Sequence, residues 1–409
     1  MGGEVQLRAT TQGDHEAFVR AALPAFGTVP DTTPRAQQWW HALEMDRGLV
    51  VEDGGRLVAT TGAYTFDLTV PGGRQVPVAG VTCVSVLPTH RRRGLFTALM
   101  RRQVQDLRDR GEALAVLLAS EATIYRRCGY GPATTAQTWT IETARGAFLE
   151  PVTDDGSLEL SDRREAAAVM AEVYDAWARV RHGALGRPAR LWEAGAGMPP
   201  VSTEHRFVVV HRAADGAPDG YASYAIHDDR AGGNGRTLVV DEVVAPQERV
   251  RAVLARYCLD HDLVDTVRFA RVAVDDPLRW RLADVRAAQT VRSTDWLWVR
   301  LLDVPAALAA RGYSGSGSLV LQVEDPFCPD LSGSFALDVE DGEAKCARVE
   351  DATPDLRLDV ADLGSTYLGG VSFTGLVLGG RVHELTPGAA ALADRLFTTS
   401  TAPLCLHWF

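Results

Sequence analysis

The apolar positions in the first third of the chain switch repeatedly between two periods. Residues 48–51 and 57–70 are rich in β-branched and aromatic side chains, and Asp53-Gly54-Gly55 between them predicts a turn joining two strands. Nearly every residue in 80–87 is apolar or small, as expected of a strand covered on both faces, and Pro88 stops the run. Phe96, Leu99, Met100, Val104 and Leu107 then recur at i, i+3, i+4, i+8 and i+11, which puts them on one face of a helix that Gly111 ends. Residues 114–119 are apolar again, so this stretch predicts a β-α-β unit. A further helix is expected over 36–45, carrying Trp39, Trp40 and Leu43.

Residues 238–274 repeat this plan in weaker form: a strand, Pro246, a helix through Val250, Leu254 and Tyr257, then a second strand. With Pro246 placed on Pro88, Arg249 falls opposite Arg91 and Arg251 opposite Arg93. Val250, however, replaces Arg92 and Ala252 replaces Gly94. The texture changes near Val291. Asp295-Trp296-Leu297-Trp298-Val299-Arg300-Leu301 opens a segment with helical runs at 305–311, 360–367 and 388–397, a Gly/Ser-rich stretch at 312–318, and strands at 319–323 and 334–339. The reading is a mixed α/β (α+β) protein of three domains: 1–145, 146–290 and 291–409.

Composition narrows the classes. The 409 residues are 46% hydrophobic and 23% charged, the balance of a globular protein large enough for two or three folding units. A formal charge of −11 argues against a nucleic-acid binder, whose affinity rests on Lys and Arg at phosphates, and suits a cationic substrate. No window of eighteen apolar residues and no basic-then-apolar start is present, so neither membrane insertion nor export is expected and the cytoplasm is the default location. The six cysteines are scattered, without a CxxC pair or histidines at ligand spacing. They read as small buried hydrophobes, with no metal site and no disulfide framework.

The candidate chemistry lies in the first β-α-β unit. Val84-Ser85-Val86 ends an apolar strand, and Arg91-Arg92-Arg93-Gly94-Leu95 turns into a helix. Unpaired N–H groups and a partial positive charge make a helix N-terminus an anion site, and three arginines suit it to a diphosphate. Gly94 lets the backbone approach phosphate oxygens where a Cβ would obstruct it. A nucleotide would satisfy such a turn equally well, and a solvated basic cap would look the same. After the next strand, Ser120-Glu121-Ala122-Thr123-Ile124-Tyr125-Arg126-Arg127-Cys128-Gly129-Tyr130-Gly131 places a tyrosine one turn before a Gly-aromatic-Gly stop. Alone, Tyr125 reads as a satisfied core tyrosine. Glu121 reads as a helix cap rather than a catalytic carboxylate.

Together, the segment from Pro88 to Leu95 and the segment from Ser120 to Gly131 resemble the Eis (enhanced intracellular survival) family of GCN5-related N-acetyltransferases. Arg91-x-x-Gly94 fits the wider acetyltransferase pattern, with Phe96 where a small residue is usual. The resemblance spans the chain and implies tandem GNAT-type domains, the second degenerate, followed by a sterol-carrier-like domain. It implies acetyl-CoA as co-substrate, with Val84, Ser85 and Val86 beside the pantetheine, Arg91, Arg92, Arg93, Gly94 and Leu95 at the pyrophosphate, and Ser120 near the thioester. Tyr125 would be the general acid, and the carboxylate of Phe409 would return to the first domain's site to help deprotonate the amine. Phe26, Asp31 and Trp40 would wall the acceptor pocket, where aromatic and acidic groups suit a polyamine or aminoglycoside. Trp39 and Trp40 also fit as ordinary core residues.

The resemblance further implies a homohexamer. The resulting expectation is an acetyltransferase acting on primary amines of polycationic small molecules, aminoglycosides among them, at several positions. The competing readings are a protein lysine or N-terminal acetyltransferase, and a non-catalytic lipid carrier or acyl-CoA sensor.

Overall fold

A computed structural model describes residues 5–28, 40–194, 206–228 and 235–409. The chain begins with β1 (Val5–Ala9), α1 (His15–Ala22), β2 (Leu49–Asp53), β3 (Arg56–Thr69) and β4 (Gln75–Val86). It continues through α2 (Leu95–Asp109), β5 (Leu114–Leu118), α3 (Ala122–Arg126) and β6 (Gly131–Pro132). Asp53-Gly54-Gly55 does turn β2 into β3, with both glycines at positive φ. The apolar face expected of α2 is its buried face, where Leu99, Met100, Val104 and Leu107 lie against the sheet. Of the helix expected over 36–45, residues 36–39 lie outside the described residues; of the rest only Trp40 is helical, residues 41–44 are turn and irregular chain, and Met45–Arg47 forms a short 3-10 turn.

Next come β7 (Thr135–Glu142), β8 (Ser157–Asp162), α4 (Ala167–Val180), α5 (Ala189–Glu193), β9 (Phe207–Arg212) and β10 (Pro218–Asp228). Then follow β11 (Arg236–Val244), α6 (Glu248–Leu259), β12 (Thr266–Val272), α7 (Leu278–Arg281) and β13 (Gln289–Asp295). Among the described residues these seven strands form one sheet, in the order β13-β7-β12-β11-β10-β9-β8. Its parallel pair β11/β12 flanks α6, so the weak internal repeat is a second β-α-β unit.

The strand β14 (Leu297–Leu301) departs from the simple sequential reading. The sequence groups it with the third segment, yet it pairs antiparallel with β5 and β6 and completes a first sheet ordered β1-β2-β3-β4-β5-β14-β6. All five of its residues are buried, including Arg300, which explains an apolar run indistinguishable from the opening of a new core. The chain then forms α8 (Val304–Ala310), β15 (Gly317–Glu324), β16 (Gly333–Glu340), β17 (Glu343–Val349) and β18 (Leu356–Asp359). It ends with α9 (Val360–Thr366), α10 (Phe373–Leu378), β19 (Val382–Glu384) and α11 (Ala389–Phe397), with a five-stranded sheet ordered β17-β16-β15-β18-β19.

Two compact units result. One contains 1–133, 297–399 and Phe409, and the other contains 134–296 and 400–408. The tail 400–408 is part of the second unit's core, where Leu404 and Leu406 pack with Tyr174, Trp177 and Tyr221. Arg181 and His182 hold its backbone at Ala402 (2.7 Å) and Thr401 (2.7 Å).

Candidate active site

The site is built on a strand that is forced to part from its neighbour. β4 and β5 pair in parallel from Ala79↔Ala115 to Val81↔Leu117, where the pairing stops, although β4 runs on to Val86. On its other edge β4 keeps its bonds to β3, with Ser85 opposite Thr60 and Val86 opposite Ala59. Between Thr82 and Ser85 a bulge sets two residues against one, and Cys83 takes a left-handed φ of 53°. Such a bulge bends its strand, which here opens a V between β4 and β5. Thr60 stabilises the bulge through hydroxyl contacts to the Cys83 carbonyl (2.7 Å) and to Ser85 Oγ (2.7 Å). The Ser85 hydroxyl is thereby committed and its backbone faces Thr60 of β3, which leaves the backbone groups of Val84 and Val86 for a ligand in the V.

The arginine turn closes one end. Arg92 (φ 62°) and Gly94 (φ 78°) are both left-handed, and the first helical bond of α2 runs from Ala98 N–H to the Gly94 carbonyl. The N–H groups of Leu95, Phe96 and Thr97 therefore have no acceptor within the helix, and Gly94 supplies no side-chain cap. A Cβ on Gly94 would meet nothing within 4 Å. Arg91, Arg92 and Arg93 are exposed; Arg91 donates to the Ala25 carbonyl (3.3 Å) and Arg93 to Asp53 (3.3 Å). Open space, oriented N–H groups and guanidinium groups at the N-terminus of a fifteen-residue helix suit the diphosphate of acetyl-CoA. Arg92→Glu/Arg93→Glu is expected to raise the KM for acetyl-CoA more than about tenfold, most strongly at low salt, as initial rates at varied ionic strength would show.

Tyr125 stands across the V on α3 and is 6% exposed. Its ring meets Phe96 edge-on at 6.2 Å and Tyr130 at 6.4 Å, so Phe96, unusual at that position, serves as packing for the phenol. Burial pushes the phenol up to about 12, with the Ser120 hydroxyl pulling the other way. Glu121 occupies the N-cap position of α3 but makes no side-chain capping bond, so the capping role expected of it is not realised. Burial also pushes the Cys83 thiol up to about 11 and that of Cys128 to about 12, which keeps both unreactive.

Phe409 lies on the opposite face of the same strand. Its ring is 5.0 Å from that of Phe66 and 6.5 Å from that of Tyr64, over Gly80. A Cβ on Gly80 would fall 2.3 Å from Phe66 and 3.2 Å from Phe409, so this glycine makes room for both rings. Tyr125 packs in the cluster of Ala63, Ala79 and Val81, whose side chains alternate with those of Tyr64 and Gly80. The two expected catalytic residues are thus not in mutual contact. They flank β4 from its two faces, with the V beside them. Of the acceptor-wall residues, Phe26 is 50% exposed at the end of the 3-10 turn that Arg91 contacts, and Trp40 is half-buried with its carbonyl on His15 (2.9 Å). Asp31 lies outside the described residues.

The second unit repeats the parallel pair but fills the corresponding region. β11 and β12 pair up to Val240↔Phe269, and just beyond, Asp241 and Glu242 are buried. Arg187 grips Glu242 with two bonds (3.0 and 2.7 Å), stacks on Tyr174 at 3.8 Å, and donates to His407 (3.1 Å). Burial works against the Glu242 carboxylate, yet the charge of Arg187 holds it below its ordinary range. Burial, reinforced by the charges of Arg187 and Arg271, keeps His407 neutral. Both arginines retained in the repeat are consumed by carboxylates, Arg249 by Asp154 (2.9 Å) and Asp155 (3.3 Å), Arg251 by Glu248 (3.1 Å) and Asp276. Glu248 in the first turn of α6 would also repel a phosphate.

Sequence comparison matches residues 6–133 and 183–301 to acetyltransferase (GNAT) domain families and residues 304–406 to a sterol carrier protein domain. An N-acetyltransferase of Streptomyces avermitilis is 39% identical over 98% of this chain and 99% of its own length. The N-acetyltransferase Eis of Mycobacterium tuberculosis is 36% identical over 82% of each chain. The crystal structure of Eis1 from Mycobacterium abscessus superposes with a TM-score of 0.88 at 37% identity, covering 99% of this chain and all of that one. With tandem GNAT domains, a sterol-carrier-type third domain and this likeness along its length, the chain belongs to the Eis family of GCN5-related N-acetyltransferases.

Proposed function

We propose that this N-acetyltransferase moves the acetyl group of acetyl-CoA to primary amines of polycationic small molecules, aminoglycosides among them, and does so only in the first β4/β5 split. The observation that carries this reading is the split itself, with an arginine-rich turn at one end, a buried tyrosine on one face of β4 and the terminal Phe409 on the other.

Acetyl-CoA supplies a thioester carbonyl open to attack and a thiolate that leaves. Backbone groups of Val84 and Val86 hold the pantetheine arm, as a strand would be held, and the N–H groups there stabilise the developing oxyanion. Tyr125 serves the leaving sulfur. With its phenol at about 12, it keeps its proton at every working pH. Full transfer to a thiolate near 8.5 would be uphill by roughly 3.5 pKa units, so the phenol first stabilises the thiolate by donating a hydrogen bond. The same shift sets the pH dependence. Activity is expected to rise as the acceptor amine loses its proton and to show no loss from phenol ionisation below about pH 11, which a kcat/KM profile over pH 6 to 10.5 would check.

The carboxylate of Phe409 binds and orients the ammonium and accepts its proton through water, since an α-carboxyl near 3.5 is a weak base. Phe26 and Trp40, with Asp31, form the acceptor wall. No helix among the described residues is long and apolar enough to cross a membrane, and we place the enzyme in the cytoplasm as a homohexamer. Light scattering on the purified protein would test the assembly. The acceptor class is tested by thiol release with kanamycin, neomycin, spermidine and a lysine peptide, with mass spectrometry counting the acetyl groups added. More than one acetyl on an aminoglycoside is the expected result, whereas release with the peptide alone would transfer the reading to protein acetylation.

A further inference from the structure

Tyr125 is carried by a helix of only five residues that stops at Gly129, in a left-handed conformation, so the helix alone is too short to hold its own orientation. The groups that fix it come from far along the chain. Arg126, the next residue, sends both terminal nitrogens to Asp362 (3.0 and 2.9 Å), and Arg381 adds a third bond to the same carboxylate (2.9 Å). The Asp362 side chain is 2% exposed and sits in the first turn of α9.

A second clamp acts two residues on, at Cys128. Arg300 of β14, fully buried, donates to the Cys128 carbonyl through one nitrogen and to Asp325 (2.7 Å) through another. The other oxygen of Asp325 accepts the N–H groups of Phe327 (3.0 Å) and Cys328 (2.9 Å), so the anchor is itself anchored. The turn is pressed against these partners. A Cβ on Gly129 would fall 1.6 Å from Arg300 Nη1, and one on Gly131 would fall 1.7 Å from the Ala361 carbonyl. The Gly-Tyr-Gly spacing that looks like a helix stop is thus also a fit against Arg300 and α9.

From this geometry we infer that Asp362, through Arg126, and Arg300, through the Cys128 carbonyl, are positioning residues for Tyr125, and that the sterol-carrier-type segment acts as a rigid backing that aims the phenol at the split. The inference rests on Tyr125 as the proton donor to the leaving sulfur. Charge-assisted bonds to a buried carboxylate are short and directional, which suits them to hold a backbone segment within a fraction of an ångström. Misplacement of a reacting group by about 1 Å can cost on the order of 10²-fold in rate without altering what is bound.

The test is a double-mutant cycle in the full-length chain. Asp362→Asn keeps the size and an acceptor oxygen but removes the charge. It is expected to lower kcat about tenfold while changing the KM for acetyl-CoA less than about twofold, and to have almost no further effect in a Tyr125→Phe background. Arg126→Lys, a partly exposed side chain, provides the same readout should Asp362→Asn fail to fold. A loss of equal size in both backgrounds, a change in KM alone, or no change would overturn the inference and leave Asp362 a structural residue. If Tyr125→Phe by itself left kcat unaltered, the proton-donor reading would fall and this inference with it, a result distinguishable from the additive losses that would remove the inference alone.

Discussion

Tyr125→Phe is expected to lower kcat on the order of 10²-fold while leaving acetyl-CoA affinity within about twofold of the wild type. The asymmetry follows from where the side chain sits. Its ring is part of the cluster with Met100, Val104 and Tyr130 and packs against Phe96, all contacts that phenylalanine keeps, whereas the proposed cofactor site is the arginine turn and the edge of β4. Only the hydroxyl at the split is lost. Steady-state kinetics alongside direct titration with acetyl-CoA separates the two effects, and an unchanged kcat would remove Tyr125 from the chemistry.

The second large effect belongs to the other unit and concerns stability. Arg187→Met leaves Glu242 buried with no cation bound to it, for which about 3–5 kcal/mol is the usual cost. The double variant Arg187→Met/Glu242→Leu removes the orphaned carboxylate and is expected to recover part of that loss, the remainder reflecting the lost Tyr221 hydrogen bond (2.7 Å) and the loss of the negative charge that also faces the half-buried Arg163 and Arg271. Urea unfolding followed by tryptophan fluorescence would report both, since Trp177 and Trp192 lie in or against this core. A double variant as unstable as the single one would mean that the pair does more than fill the crevice.

These two residues illustrate what the sequence disclosed. Tyr125 is singled out as a candidate only through the family resemblance carried by its neighbours, the arginine turn and the Gly-Tyr-Gly stop, which are local patterns within a single β-α-β unit. The strands and helices around it were readable directly, as periodicity and turn residues act over a few positions. Arg187 was not legible. Its partners Glu242 and His407 lie 55 and 220 residues away, and an arginine in sequence looks like any solvated cation. The strand exchange at β14 was hidden likewise, because a fully buried strand reads the same whichever sheet receives it. The bulge at Cys83 left no glycine or proline to mark it. The opposite placement of Phe409 and Tyr125 about β4 follows from the alternation of Ala79, Gly80 and Val81 together with the docking of a tail far along the chain, which no local pattern marks.

One split, and not its repeat, is proposed to carry the chemistry. Calorimetric titration with acetyl-CoA would count the sites per chain. One site is expected, weakened more than about tenfold when Arg92 and Arg93 are both replaced by glutamate, because Arg249 and Arg251 of the repeat are already bound to carboxylates and Arg187 fills the region beyond its strand pair. Two sites per chain, or one whose affinity is unchanged by the replacement at the first arginine turn, would contradict a single working split.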